Sequence, residues 1–138
     1  MNWKLIFRLS LFGLAMGIAT VYFIPSNIEF FFWLAIFIIC GYLIAKNCTR
    51  DYFLQGFCVS LLNAVWVIAS QLILFNAYMA HHAKEAAMYT NNPMLISPKA
   101  GIIIIGIIAG LASGIVLGSL AFIASRILKK NVVITHNA

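Results

Sequence analysis

Four long apolar runs separated by short polar breaks organise the chain. The first covers residues 5–24 and stops at Pro25-Ser26-Asn27, and the second covers 28–45 and stops at Lys46-Asn47-Cys48-Thr49-Arg50-Asp51. The third covers 52–79 and the fourth 100–128. A hydrocarbon core of about 30 Å takes about 20 helical residues, so each run predicts a helix that crosses a membrane. The two longer runs predict tilt or protrusion beyond the hydrocarbon. One sizeable connection remains, residues 81–99, in which Asn91-Asn92-Pro93 and Ser97-Pro98 are turn signals. Its first part, 81–89, has neither Gly nor Pro and predicts a helical continuation of the third run.

Composition removes the soluble alternative: 64% of residues are hydrophobic, 9% are charged and the mean hydropathy is +1.02. Four spans use up most of 138 residues and predict a single domain, 1–138, an all-α integral membrane four-helix bundle. Charge then orients it. Lys4, Arg8, Lys46, Arg50, Arg126, Lys129 and Lys130 would share one side, leaving Lys84 and Lys99 on the other. By the positive-inside rule both termini are cytoplasmic, N-in/C-in, and the 81–99 connection faces outward. The net charge of +6 therefore describes flanks that meet anionic head groups, and nucleic acid is excluded as a partner because no basic patch is interleaved with base-reading residues. Trp3, Tyr22, Trp33, Tyr42, Tyr52 and Tyr78 fall at span ends, where amphipathic rings favour the interface. Trp66, at mid-span, needs a partner for its indole N–H inside the protein. A cleaved secretory signal competes for the N-terminal segment, but retaining it keeps the cations together on one side of four helices.

The fourth run carries Gly106, Gly110, Gly114 and Gly118 at four-residue spacing. Each interior Gly costs a helix in water about 1 kcal/mol relative to Ala. In a bilayer such a ridge, a glycine zipper, lets another helix approach closely. With Ser113, Ala121 and Ser125 it forms one continuous small face. Gly13 and Gly17 in the first run offer a shorter counterpart, so the face is expected to pack closely against the first or the third run of the same chain, with a second copy of the chain as the competing occupant.

The third run holds the polar stripe, with Gly56, Ser60, Asn63, Val67, Ser70 and Gln71 on a face about 100° wide. Ser60, Asn63, Ser70 and Gln71 are read as interhelical hydrogen-bonding groups, each bond contributing about 0.6 to 2 kcal/mol. The rival reading is a polar path for a solute. No Asp, Glu, Lys or Arg lies deep in any run, whereas ion-coupled carriers place one there.

His81, His82 and Glu85 have spacings that one helix face can bring together, which suggests a metal or proton-sensing site. Adjacent histidines point about 100° apart, however, and the expectation is a solvated helix end with no bound metal. Glu29 and Asp51 sit at span starts, as helix N-terminal charges do. Cys40, Cys48 and Cys58 are an odd set without paired spacing and read as buried thiols. No nucleophile stands with a base, His136 lies in a tail, and no Lys-Ser or Lys-Thr follows the glycines, so neither an enzyme nor a cofactor is expected.

The order of Tyr52-Phe53-Leu54-Gln55-Gly56-Phe57, Phe75-Asn76-Ala77-Tyr78, Ser97-Pro98-Lys99 and the Gly106 to Ser125 helix closed by Arg126 and Lys129-Lys130 resembles small four-span bacterial membrane proteins grouped as a domain of unknown function. That resemblance covers the last three runs and implies a bacterial inner-membrane location, without catalytic residues or cofactor. The expected role is a non-enzymatic membrane component whose partners are the bilayer and either a second copy or another membrane protein. The alternative is a small transporter or channel.

Overall fold

The computed structural model describes residues 1–91 and 97–136, with side chains placed through Lys129. All regular structure among them is helical, in six pieces: α1 (Trp3–Tyr22), α2 (Ser26–Asn47), α3 (Tyr52–Ile73), α4 (Phe75–His81), α5 (Ala83–Asn91) and α6 (Pro98–His136). Four of these, α1, α2, α3 and α6, are long and apolar enough to cross a membrane. Large apolar side chains stay exposed along them, among them Phe7 and Ile18 on α1, Ile38 and Ile39 on α2, and Ile104, Ile108 and Ile115 on α6. Water-soluble surfaces do not carry such continuous apolar area, and lipid does cover it.

Local chemistry sets the helix ends. Asn2 caps α1 by accepting the Leu5 N–H at 3.2 Å, which starts the helix two residues before the apolar run. Pro25, extended at φ −70° and ψ 149°, precedes the first turn of α2, where Glu29 sits. Asp51 precedes α3 in the left-handed region at φ 56° without capping it, its carboxylate 3.7 Å from the Arg50 guanidinium.

The third apolar run is not one helix. It breaks at Leu74, where φ −98° and ψ 29° separate α3 from α4, and α4 runs past its end to stop at His82 before α5. No Gly or Pro marks the first break. One turn earlier the Ser70 hydroxyl donates to the Trp66 carbonyl at 2.8 Å, and back-bonding of this kind bends helices. The helical continuation expected for 81–89 is therefore present as a separate α5. The fourth run is longer than its apolar stretch: α6 continues through His136, which lies in helix and not in an irregular tail. Of the turn signals, Asn92 and Pro93 lie outside the described residues.

α3 is central. It packs along α6 on one side and α1 on the other, while α2 lies mainly against α6 and only lightly against α1 and α3. Ile6, Leu9, Phe37, Cys40, Ile44, Val59, Leu117 and Ala121 form the core shared by all four long helices. A second cluster, Val21, Tyr78, Tyr89 and Ile102, closes the loop end.

Candidate functional site

Two interhelical seams contain the residues that the sequence singles out. Along the α3–α6 seam the glycine ridge meets α3 in antiparallel register. A Cβ on Gly106 would lie 2.5 Å from Ile68, on Gly110 2.6 Å from Ala64 Cβ, on Gly114 2.8 Å from the Phe57 ring, and on Gly118 2.8 Å from the Phe53 carbonyl oxygen. All four distances are below ordinary carbon contact, so the ridge is filled by α3 of the same chain. Of the two runs expected to meet the ridge, the third does and the first does not, because Gly13 and Gly17 face α3 from its other side.

Gly56 is the packing residue that sequence reasoning missed. A Cβ there would stand 2.8 Å from the Leu117 carbonyl oxygen and 2.9 Å from Gly118 Cα, so backbone touches backbone at this level. The signal was available: Gly56, Ser60 and Ala64 repeat a small residue every four positions and face the ridge. Gly41 gives α2 a looser approach to α6, its would-be Cβ 3.4 Å from Ala121 N.

Ser60 joins this seam by a 2.7 Å hydrogen bond to Ser113, whose hydroxyl donates onward to the Gly110 carbonyl at 3.2 Å. A double-mutant cycle of Ser60→Ala and Ser113→Ala, read by unfolding in detergent, is expected to give a coupling of about 0.6 kcal/mol, with each single change costing no more than about 1 kcal/mol.

Along the α1–α3 seam the helices run parallel, and polar groups follow one another for most of its length. At the cation-rich end the buried Gln55 amide accepts from the Asn2 backbone N–H at 3.3 Å and from Cys48 Sγ at 2.9 Å, and donates to the Arg50 carbonyl at 2.8 Å. Further along, the Trp66 indole donates to Ser10 Oγ at 3.2 Å. Asn63, 1% exposed, accepts the Gly13 N–H at 3.1 Å, and its Nδ2 is buried without a partner. Ser70 faces Gly17, where a Cβ would lie 2.8 Å from Ser70 Oγ and 3.1 Å from Val67 Cα. Gln71, the last member of the stripe, is only half-buried.

At the loop end the structure keeps His82 and Glu85 together, 3.9 Å apart, and sets His81 apart from them. His81 is exposed, its Nδ1 2.9 Å from the Ala77 carbonyl and its ring edge-on to Tyr22. His82 is buried, which corrects the expectation of a solvated helix end: its Nε2 lies 2.8 Å from the Thr20 carbonyl and its Nδ1 3.1 Å from Ser26 Oγ. Ser26 donates to Glu85 at 2.6 Å, and this bond holds the Glu85 carboxyl below its ordinary range despite partial burial. Among the described residues no three His, Cys, Asp or Glu side chains gather closely enough to hold a metal ion. Glu29 accepts from the Trp33 indole at 3.0 Å, tying that ring to the first turn of α2.

Two clefts open at the helix ends. One of about 710 Å³ is lined by Lys46, Cys48, Tyr52 and Lys129, and one of about 380 Å³ by Leu72, Phe75, Asn76 and Lys99. Neither is lined by Ser60, Asn63, Ser70 or Gln71. Compared with protein-family models, with curated proteins and with solved structures, the chain matches none.

Proposed function

We propose that the chain is a non-enzymatic, multi-pass component of a bacterial inner membrane, an N-in/C-in four-helix bundle that acts by helix packing and by assembly within the bilayer. The observation that carries this reading is the use made of the polar stripe: Ser60 is bonded to Ser113, Asn63 to the Gly13 backbone, and Ser70 to its own helix under Gly17. These side chains are 1% to 4% exposed, at a depth where a solute path would need wet ones. Orientation rests on the cation-rich end, and the bacterial location on the order of features described above. Since α3 occupies the glycine ridge, association with a second copy or another membrane protein falls to the lipid-facing sides of the helices.

The rival reading, a small transporter or channel, draws on the unpartnered Asn63 Nδ2 and on the half-exposed Gln71. Cysteine labelling separates the two. Asn63→Cys and Ser70→Cys, treated in membranes with a water-soluble maleimide, are expected to label no faster than the native thiols, while Lys84→Cys on exposed α5 labels fully. Rapid labelling at both 63 and 70 would overturn the closed-bundle reading in favour of a water-filled path.

A further inference from the structure

Thr20 on α1, Ser26 on α2, His82 between α4 and α5, and Glu85 on α5 meet at the loop end across 56 to 62 residues of sequence. The protons at this site can be counted. A backbone carbonyl only accepts, so the 2.8 Å contact from His82 Nε2 to the Thr20 oxygen places a proton on Nε2. Ser26 has one hydroxyl proton but stands at hydrogen-bond distance from two groups, Glu85 Oε1 at 2.6 Å and His82 Nδ1 at 3.1 Å. With the imidazole neutral and the carboxylate ionised, that single proton leaves one of these contacts as lone pair against lone pair. One further proton, on Nδ1, resolves it: Nδ1–H donates to Ser26 Oγ, Ser26 Oγ–H donates to Glu85, and imidazolium faces carboxylate at 3.9 Å.

The same geometry argues against a nucleophilic triad. In a triad the imidazole stands between hydroxyl and carboxylate. Here the hydroxyl stands between them, and the far ring nitrogen is spent on a backbone carbonyl.

We propose that Ser26, His82 and Glu85 form a proton-operated latch, which fastens the α1–α2 turn to the α4–α5 junction when His82 is imidazolium and loosens it when His82 is neutral. His81, exposed beside it, is the second imidazole at this end. Tyr78 of α4 stacks on the His82 ring at 4.7 Å, and burial pushes the phenols of Tyr78 and of Tyr89 on α5 upward, so both stay neutral. From α2, Glu29 is engaged by the Trp33 indole. Lys84 on α5 is exposed, Tyr22 and His81 pair edge-on with each other, and Lys99 of α6 lies over the Phe75 ring. The acid limit is set by Glu85. Its carboxyl is held low, so its contribution is present above the ordinary carboxylate range and is lost as pH falls through its own lowered value. The alkaline limit is the loss of the Nδ1 proton.

The test is hydrogen exchange of residues 83–91 in nanodiscs at about pH 5.5 and about pH 8, corrected for intrinsic exchange. Protection is expected to be about tenfold higher at the lower pH, a ratio that His82→Gln abolishes. Equal or lower protection at the lower pH in the native chain, or the same ratio in a folded His82→Gln, would overturn the latch. Should that variant fail to fold, the ¹⁵N imidazole signals of the native protein decide, with His81→Gln assigning them. The latch requires a doubly protonated His82 ring at the lower pH and the Nε2–H tautomer at the higher. An Nδ1–H tautomer, or a ring whose state is the same at both, refutes it.

Discussion

Gly56→Val is expected to separate α3 from α6 and to cost about 3 kcal/mol or more, the upper part of the range for overpacked sites. The first added carbon meets the Leu117 carbonyl oxygen at 2.8 Å and Gly118 Cα at 2.9 Å, and neither atom can rotate away. Relief requires one helix to move bodily, which would also pull Ser60 from Ser113 and unseat Gly110 from Ala64. Helicity followed during denaturant unfolding in detergent gives the readout, with Gly114→Ala as the control. At Gly114 the obstacle is the edge of the Phe57 ring at 2.8 Å, the movable end of a side chain, so the cost is smaller and falls further when Phe57→Leu is added. A Gly56→Val protein as stable as the native chain would mean that the α3–α6 seam is not in backbone contact.

Gly13→Val is expected to do the same to the α1–α3 seam, at similar cost. A Cβ at Gly13 would lie 2.5 Å from Asn63 Cα and 2.7 Å from Asn63 Oδ1, so the substitution overpacks the seam and takes away the carbonyl that receives the Gly13 N–H. Trimming the neighbour does not help. Asn63→Gly removes Oδ1 and Cβ but leaves Cα in place, and the double variant should remain as unstable as Gly13→Val alone. Gly17→Ala with Ser70→Gly is the contrasting pair, because there the nearest atoms, Ser70 Oγ at 2.8 Å and Cβ at 3.0 Å, belong to the side chain that is deleted. Rescue of Gly13→Val by Asn63→Gly, measured by the same unfolding assay, would show that the side chain and not the backbone sets the fit.

What the sequence revealed and what it concealed divide along the range of the interactions involved. Span number and approximate limits were readable because hydropathy is a sum over about 20 neighbouring residues, and the ridge was readable as a contact surface because its four-residue spacing is local. The choice between the first and the third run as its occupant was not. The α3 face that carries Ser60 was classified by its polar members, which hid the Gly56, Ser60, Ala64 series that fits against Gly118, Ser113 and Gly110. The break at Leu74 left no Gly or Pro, since a serine back-bond lies one turn before it. His82 shows the limit most plainly: spacing linked it to Glu85 three residues on, while the groups that bury it, Thr20 and Ser26, come from the opposite end of the sequence.

The position of α2 has a consequence for synthesis. Consecutive helices in a membrane protein often pair as hairpins when they emerge, yet α2 touches α1 and α3 only lightly and finds its main partner in α6, made after α3, α4 and α5. Until then Phe37, Cys40 and Ile44, buried in the finished protein, must face lipid or an attendant protein. The packing of α2 is thus delayed until α6 has been inserted. An arrested chain ending before Gly106 should hold α1 and α3 together while leaving α2 free to wander or to be captured by quality control.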